Sequence, residues 1–351
     1  MAAQNDGMKM IILVPTLLRG NAYPCESVCV CVCLWLKKAV RPQGVYVHVK
    51  LLTDILKENT IPPPNTIAAT ANPLGRISTE EFNLLRSLVH ERFGINLTDE
   101  KRTLVVSRLQ TGLQELGFGT FKEYYRYLVT DKSNNGINDL INRISTNYSY
   151  FYREKSHFDF FSRTAFPELL KKKRAYGDDD IRIWTAGCST GEEPYMLIML
   201  MMECLGLDYR NWDVGILATD ISERVLKVAQ KAVYPADRVS QVPVDLRHKY
   251  FASVPNGMIS VKGKVKQEIT LRRFNLMNQQ FPFKKPFQMI FCRNVMIYFD
   301  AQTRHNLVKR FHQFLEPGGY LFIGHSETLG REQKLYNYIM PACYQKPELQ
   351  S

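Results

Sequence analysis

The chain has 351 residues, of which 45% are hydrophobic and 23% are charged, as in a soluble globular protein with room for two domains. Its formal net charge of +12 predicts attraction to an acidic partner, and nucleic acid, anionic lipid and a glutamate-rich protein surface all qualify. The eight cysteines are too few for a disulfide scaffold in a chain of this length. Those past residue 100 are widely scattered and indicate reduced thiols in a cytoplasmic protein.

Residues 1–75 differ in character from the rest of the chain. The apolar runs Ile11–Leu18 and Val28–Leu36 are far shorter than the ~18–20 residues that span a bilayer. The segment also contains four cysteines: Cys25, Cys29, Cys31 and Cys33. Their spacing lacks the paired Cys-x-x-Cys knuckles of zinc sites, which disfavours a metal site. We predict an extension and linker here and assign it no function.

Residues 76–146 are predicted to form a small all-helical domain. Ser78 and Glu81 have the spacing of a capping box, which starts a helix, and Gly94 stops that helix. Three further helical patterns follow before Ile144, with apolar residues recurring every three or four positions.

The second of these helices is predicted to carry an apolar stripe and a charged face. Its stripe consists of Leu104, Val105, Leu109, Leu113 and Leu116. Lys101 and Arg108 lie seven residues apart on one face, with Arg102 beside them. A solvated surface is the default interpretation of these charges, and a docking surface for an acidic partner is the sharper one.

Residues 147–180 are predicted to link this domain to the next. Polar and aromatic residues are interleaved at the start of the linker, and a single helix is predicted over His157–Lys173. Three polar side chains near the start have hydrogen-bonding ends with no evident structural use: Asn147, Ser149 and Arg153.

The stretch Ile181–Leu205 predicts a strand, a glycine-bearing turn and a long helix, the first half of a nucleotide-binding βαβ unit. Its Gly-x-x-x-Gly pattern matches neither the dinucleotide fingerprint nor the phosphate-binding loop. Glu192 and Glu193 occupy the first turn of the helix, where a pyrophosphate would otherwise bind. A nucleoside with a cationic arm fits better, and S-adenosylmethionine is the common one. A capping box formed by Thr190 and Glu193, with no ligand, is the competing interpretation.

Residues 181–351 alternate strands with helices, which predicts an α/β domain with a mostly parallel sheet. The strand Trp212–Thr219 ends at Asp220, which is well placed to bond both ribose hydroxyls of a nucleoside. Short β-prone pieces, including Ile269–Leu271, predict a small antiparallel insertion over residues 240–273.

A third strand is predicted over Phe287–Cys292, and Arg293 and Asn294 follow it at once. Ser222 and Asp300 are each predicted to cap the helix that follows them.

Residues 78–346 together resemble the CheR-type chemotaxis receptor methyltransferases. Six stretches carry the resemblance: Glu100-Lys-Arg102 with Arg108-Leu109, Thr146-Asn-x-Ser-x-Phe-x-Arg153, Ser189-Thr-Gly-Glu-Glu-Pro-Tyr195, Ala218-Thr-Asp-Ile221, Phe291-Cys-Arg-Asn-Val-Met-Ile-Tyr298 and Gly324-His-Ser-Glu327. The sequence departs from the pattern at Ser149, where the family often has threonine. Fewer arginines follow Arg108 than in some members, so the predicted basic docking surface is thinner.

The resemblance implies a helical N-terminal domain, a linker and a Rossmann-like class I methyltransferase domain with a small antiparallel β-subdomain. It implies S-adenosyl-L-methionine as the cofactor, contacted from the interdomain side by Asn147, Ser149 and Arg153. The further implied contacts are Glu192 to the amino group, Asp220 to the ribose, and Asn275 and Leu276 to the adenine. Arg293 and Asn294 would close the cavity, with Arg293 and Tyr298 nearest the reacting centre.

The activity implied is methyl transfer to glutamates in the cytoplasmic domain of chemotaxis receptors. The enzyme would be a cytoplasmic monomer with no metal, nucleic-acid partner or membrane insertion. Glutamate, with a reference pKa of about 4.3, is ionised at neutral pH and needs no general base. Arg293 is expected to orient the acceptor carboxylate, and Tyr298 to hydrogen-bond it. The alternative for Arg293 is a salt bridge that holds the loop on which Arg293 lies.

Two other functional classes stay open at this point. The first is a methyltransferase acting on nucleic acid or on a small molecule, which the positive charge allows. The sequence contains no Asn-Pro-Pro-Tyr-type motif and no basic arm with interleaved aromatics, which disfavours it. The second is a receptor-binding scaffold that holds the cofactor without catalysis.

Overall fold

The computed structural model describes residues 73–330 and 334–348. The extension predicted over residues 1–75 therefore lies almost wholly outside the described residues, and so do its four cysteines. Among the residues described, no helix has the length and apolar character needed to cross a membrane.

The helical part begins with four helices: α1 (Thr79–Phe93), α2 (Arg102–Glu115), α3 (Phe121–Thr130) and α4 (Asn135–Ile144). Their apolar faces form a core of their own around Phe82, Leu109 and Tyr124. The predicted α2 stripe is buried only in its middle, since Leu104 is 43% and Leu116 49% exposed. Leu104 lines a cavity instead of packing under another helix, and Leu116 lies at the end of α2, beyond the bundle core.

The single helix predicted over His157–Lys173 is interrupted. The described structure has α5 (Lys155–Phe160), a π-helical turn (Phe161–Ala165) and then α6 (Phe166–Tyr176). Pro167 lacks the amide hydrogen that an uninterrupted helix would use here, so the backbone ladder widens just before it.

The described residues after α6 contribute ten strands: β1 (Asp180–Ala186), β2 (Asp213–Asp220), β3 (Val233–Pro235), β4 (Phe251–Val254), β5 (Met258–Val261), β6 (Ile269–Arg273), β7 (Phe287–Cys292), β8 (Leu315–Ile323), β9 (Asn337–Met340) and β10 (Cys343–Gln345). The helices among them are α7 (Glu192–Leu205), α8 (Glu223–Lys231), α9 (Val244–Tyr250), α10 (Gly263–Lys266) and α11 (Ala301–Gln313).

Seven of the strands form one sheet in the order β6-β2-β1-β7-β8-β10-β9. The strands from β6 to β8 are parallel, and β10 and β9 add an antiparallel edge. Buried clusters cover both faces of the sheet, as a parallel sheet requires. Because β1, β2 and β7 are parallel neighbours, their carboxyl ends meet at one edge, which positions the loops that follow them.

The remaining strands form a small antiparallel sheet in the order β3-β5-β4. The insertion predicted over residues 240–273 therefore exists, but its bounds differ from the prediction. Ile269–Arg273 does not belong to it, because this strand pairs in parallel with β2 at the edge of the large sheet. The β-prone residues were recognised correctly, and only strand pairing determined which sheet they join.

Most predicted helix caps are confirmed. Ser78 and Glu81 form the capping box of α1, and Ser222 and Asp300 each accept a backbone hydrogen bond at the start of α8 and α11. The capping box of Thr190 and Glu193, the competing interpretation for the start of α7, does not form. Gly191 is the N-cap residue there and no side chain caps the helix.

Candidate active site

A cavity lies where the helical bundle meets the carboxyl ends of β1, β2 and β7. The bundle is held to the sheet by backbone pairing of Ile95 with Phe299. The amide of Asn96 also donates to the Tyr298 carbonyl at 2.7 Å. One wall of the cavity therefore comes from the helices, and the other comes from loops that follow parallel strands.

All but one of the sequence-predicted site residues line this cavity: Asn147, Ser149, Arg153, Asp220, Asn275, Leu276, Arg293, Asn294 and Tyr298. Glu192 is the exception, and its neighbour Glu193 lines the cavity in its place. The fold thus brings together residues that lie up to about 150 positions apart in the sequence.

The turn after β1 forms the floor of the site. Gly187 has a φ of 91°, a conformation that favours glycine, and a Cβ there would collide with the Val295 side chain. Its amide donates to the Thr219 carbonyl at 2.8 Å. Ser189 has a φ of 50°, and its amide donates to Asp220.

Asp220, the last residue of β2, presents a buried carboxylate to the cavity. One of its oxygens accepts from the amide of Ser189 and the other from the amide of Ser222, both at 2.9 Å. Burial raises the pKa of this carboxyl, and the neighbouring amides oppose the shift. Each oxygen keeps a lone pair for a second donor, so a pair of ribose hydroxyls is a suitable ligand.

The two adjacent glutamates of α7 lie in different surroundings. Glu192 is fully buried, accepts from the Thr190 hydroxyl at 2.7 and 2.8 Å and pairs with Arg238 at 3.3 Å. Glu193 Oε2 instead lies 2.7 Å from Arg293 Nη1 at the cavity wall. The carboxylate that lines the cavity is therefore that of Glu193, and Glu192, chosen from the sequence, does not line it.

Arg293 is buried between two carboxylates, with its side chain 3% exposed. Its Nη2 lies 3.1 Å from Glu154 Oε2 and also donates to the Arg153 carbonyl, while Nη1 pairs with Glu193. The guanidinium also lies 5.2 Å from the centroid of the Phe158 ring. These contacts are the loop-holding salt bridge that the sequence left as the alternative interpretation of Arg293.

The loop after β7 is held in a strained conformation. Asn294 has a φ of 59°, and its amide donates to Glu327 Oε2 at 3.0 Å. The amide of Ile297 donates to Glu327 Oε1 at 3.0 Å, so one buried carboxylate binds both ends of the turn. A Cβ on Gly324 would collide with the Asn294 side chain, which is why a glycine follows the neighbouring strand β8.

The linker residues form the interdomain side of the cavity. The Asn147 carbonyl accepts from the Ser189 hydroxyl at 3.2 Å, and the Ser149 carbonyl accepts from Arg238. Arg153 Nη1 donates to the Tyr148 carbonyl at 2.9 Å. Asn147 Nδ2 is buried and has no hydrogen-bond partner among the described residues, so a bound ligand would satisfy it.

Asn275 and Leu276 lie on the loop after β6. Asn275 Nδ2 donates to the Arg92 carbonyl at the end of α1, at 2.7 Å, and its Oδ1 accepts from the amide of Met277 at 3.0 Å. The Asn275 side chain therefore holds the loop and the helical domain together. Leu276 is buried beside it and gives this end of the cavity an apolar wall.

Tyr298 lies where the cavity meets α2. Its hydroxyl donates to the Thr146 carbonyl at 3.3 Å, and Lys101 Nζ lies 5.8 Å from the centroid of its ring. Leu104, in the first turn of α2 and three residues after Lys101, lines the cavity and is 43% exposed. The cavity is therefore continuous with the charged face of α2.

Sequence reasoning missed the partners that hold the site: Glu154, Glu193, Arg238 and Glu327. Glu193 was noted only as a helix-start residue, and Glu327 only as part of a motif. The signal for Glu193 was its place beside Glu192, but the sequence has no means of choosing between two adjacent carboxylates. Glu154 and Arg238 meet the site only through tertiary contacts, so no local pattern marks them.

Comparison with known proteins identifies the family. Residues 147–343 match "CheR methyltransferase, SAM binding domain", and residues 80–145 match "CheR methyltransferase, all-alpha domain". The chain belongs to the CheR methyltransferase family. It is 44% identical to a chemotaxis protein methyltransferase of Borreliella burgdorferi over 77% of this chain and 95% of that protein. It is 32% identical to the Escherichia coli chemotaxis protein methyltransferase over 74% of this chain and 88% of that protein.

Membership of the CheR family confirms the resemblance found in the sequence. It confirms the fold class, a class I methyltransferase sheet preceded by an all-helical domain. It also confirms that the protein is a methyltransferase whose cofactor is S-adenosyl-L-methionine. The residues present fit that cofactor, because the cavity offers a carboxylate at Glu193, a second at Asp220 and the unpaired amide of Asn147.

Proposed function

We propose that this enzyme methylates glutamate side chains of chemotaxis receptors and so forms methyl esters in sensory adaptation. The substrate is the cytoplasmic domain of the receptor, and the enzyme works in the cytoplasm as a monomer. The observation that carries the proposal is the cavity itself, since the carboxylates of Glu193 and Asp220 line it together with the basic residues Lys101 and Arg108. The chemotaxis methyltransferases to which the chain is similar support it.

The proposed cofactor contacts follow from the residues that line the cavity. Asn147, Ser149 and Arg153 contact the cofactor from the interdomain side, Asp220 binds the ribose, and Asn275 and Leu276 border the adenine. We assign the amino group to Glu193 rather than to Glu192, because Glu193 lines the cavity and Glu192 does not. Asn294 closes the cavity from the loop after β7.

When bound, S-adenosyl-L-methionine supplies a methyl group on a positively charged sulfonium. The acceptor glutamate is ionised at neutral pH and attacks without a general base. The residues around it therefore have to align it and exclude water, because opposite charges are neutralised as the bond forms. We propose that Tyr298, whose hydroxyl donates to the Thr146 carbonyl in the structure, hydrogen-bonds the acceptor carboxylate when the receptor is bound. Arg293 supplies positive charge beside the reaction and pairs with Glu193 at the cavity wall and with Glu154 behind it.

The receptor approaches across α2. Lys101 and Arg108 line the cavity on this side, and Arg108 Nη2 donates to the Thr146 hydroxyl at 2.9 Å, which orders the start of the linker. An acidic receptor helix would be attracted to this face. Leu104, exposed between the two charges, provides an apolar contact for that helix.

Methyl transfer from radiolabelled S-adenosylmethionine to membranes bearing a chemoreceptor tests the proposal. Alkaline treatment hydrolyses carboxyl methyl esters and releases volatile methanol, whereas methylated nitrogen keeps its label. We expect base-labile label that is lost in Arg293→Ala. Tyr298→Phe, which removes one hydroxyl, should retain cofactor binding by calorimetry but transfer the methyl group at least tenfold more slowly.

The alternatives give different results in the same assay. A nucleic-acid methyltransferase would leave base-stable label on added RNA or DNA and none on the membranes. A binding scaffold would bind the cofactor by calorimetry and label neither. Either result would overturn the glutamate methyltransferase proposal.

A further inference from the structure

A second group of polar side chains lies behind Arg293, outside the cavity. Glu154, His157 and His325 each offer one ligand atom, and these atoms lie within 4.8 Å of one another. None of the three lines the cavity. The rings of His157 and His325 meet edge to face, with centroids 4.7 Å apart.

The hydrogen bonds of His157 determine which of its nitrogens is free. Its Nε2 lies 3.2 Å from the Pro341 carbonyl, which can only accept, so the proton is on Nε2. Nδ1 then carries a lone pair, and it is fully buried with no hydrogen-bond partner among the described residues. Glu154 Oε2, which also accepts from Arg293 Nε at 3.3 Å and Nη2 at 3.1 Å, lies 3.7 Å from it. The unpartnered nitrogen of a buried imidazole beside a carboxylate is an arrangement that a bound cation would satisfy.

The other contacts of the cluster are those of a metal site. A ligating imidazole generally donates its second N–H to a carbonyl or carboxylate, as His157 does to Pro341. His325 is exposed, which leaves room for water as a fourth ligand.

We propose that Glu154, His157 and His325 form a binding site for a divalent transition metal of the zinc class. Two imidazole nitrogens, one carboxylate oxygen and a water match the open tetrahedral set that Zn²⁺ adopts. Bonds of about 2.0–2.1 Å to each ligand place neighbouring ligand atoms roughly 3.3 Å apart. Binding therefore draws His325 inward by an ångström or so, which its exposed position allows.

The site has a consequence for the neighbouring cavity. Glu154 Oε2 is also the partner of Arg293 Nη2 at 3.1 Å, so a metal bound there competes with the guanidinium for the same oxygen. Occupancy of the site would loosen Arg293 from one of its two carboxylates. The metal site itself rests on the cluster alone and does not depend on the identity of the methyl acceptor.

Zinc titration of the full-length protein by isothermal calorimetry tests the inference. Compared with the wild type, His325→Ala should bind one zinc ion fewer per chain, or should bind that ion at least tenfold more weakly. His305→Ala, which removes an exposed histidine of α11, is the matched control and should bind as the wild type does. His325→Cys replaces one zinc ligand by another and should recover the equivalent.

The recovery by cysteine separates a metal ligand from a structural histidine, because cysteine cannot replace the hydrogen bond between His325 Nε2 and the Ser156 hydroxyl. X-ray absorption at the zinc edge should show one additional sulfur neighbour in His325→Cys. Equal zinc stoichiometry and affinity in the wild type and His325→Ala would overturn the proposal. Loss in both His325→Ala and His325→Cys would also overturn it, since the histidine would then act only through its hydrogen bonds.

Discussion

The carboxylate of Glu193 lies 2.7 Å from the guanidinium of Arg293, at the point where α7 begins and β7 has just ended. Burial raises the pKa of the Glu193 carboxyl, and the charge of Arg293 opposes that shift. Because Glu154 binds the same guanidinium from the other side, two acidic groups share one buried positive charge. The loops after β1 and β7 and the linker are thus held together by a single arginine.

Replacing Arg293 by methionine should reduce the free energy of unfolding by about 3–5 kcal/mol, because Glu154 and Glu193 would be left without their counter-charge. Urea denaturation followed by circular dichroism measures the change. Arg272→Met, at an exposed arginine of β6, is the control and should change stability by no more than about 0.5 kcal/mol. A loss of less than about 1 kcal/mol for Arg293→Met would show that the ion pairs of Arg293 with Glu154 and Glu193 do not stabilise the fold as expected.

The two neighbouring glutamates should differ in their effect on the cofactor. Glu193→Gln is expected to weaken binding of S-adenosylmethionine by about tenfold or more, because it removes a charged hydrogen-bond acceptor from the cavity. Glu192→Gln should weaken it less, since Glu192 acts through Thr190 and Arg238. Calorimetry on both variants measures the difference. The reverse order would return the amino-group contact to Glu192.

Cofactor binding should depend on pH through Asp220. Burial raises the pKa of this carboxyl, so the folded state binds the proton more tightly than the unfolded chain does. Protonation of Asp220 therefore stabilises the fold below its unfolded pKa of about 3.9, and that contribution is lost as the pH rises through the folded pKa. Ribose hydroxyls donate better to the ionised carboxylate. Cofactor affinity should therefore increase as the pH rises through the folded-state pKa of Asp220.

Calorimetric titrations at a series of pH values from 4 to 8 measure this dependence. Asp220→Asn should bind the cofactor more weakly than the wild type does. Its affinity should not increase with pH, because an amide does not titrate in this range. The same pH profile in the variant and the wild type would show that another group is responsible.

The positive charge of Lys101, at the start of α2, should strengthen receptor binding and leave cofactor binding unchanged. Lys101→Glu is expected to raise the KM for receptor-bearing membranes by about tenfold at low salt and by less at high salt, because exposed charges are screened. Its affinity for S-adenosylmethionine should stay within about twofold of the wild type. Lys132→Glu changes an exposed lysine that does not line the cavity and controls for net charge. An equal effect of both variants would place receptor docking elsewhere.

Much of the site could be predicted from the sequence because its residues follow strands. Asp220 ends β2, and Arg293 and Asn294 follow β7. The carboxyl ends of parallel neighbours meet at one edge, so the sheet brings these side chains together. Asn275 was assigned by resemblance alone, and its contact with Arg92 explains why the loop after β6 lies against the helical domain.

The sequence by itself determined the alternation of strands and helices, the strand–turn–helix unit at Ile181–Leu205 and the caps at Ser78 and Asp300, because these depend on neighbours a few residues away. Tertiary structure decided which of two adjacent glutamates lines the cavity. Successive side chains on a helix point about 100° apart, so the choice depends on how α7 is packed. Strand pairing likewise placed Ile269–Arg273 in the large sheet, since β-propensity is the same for either partner.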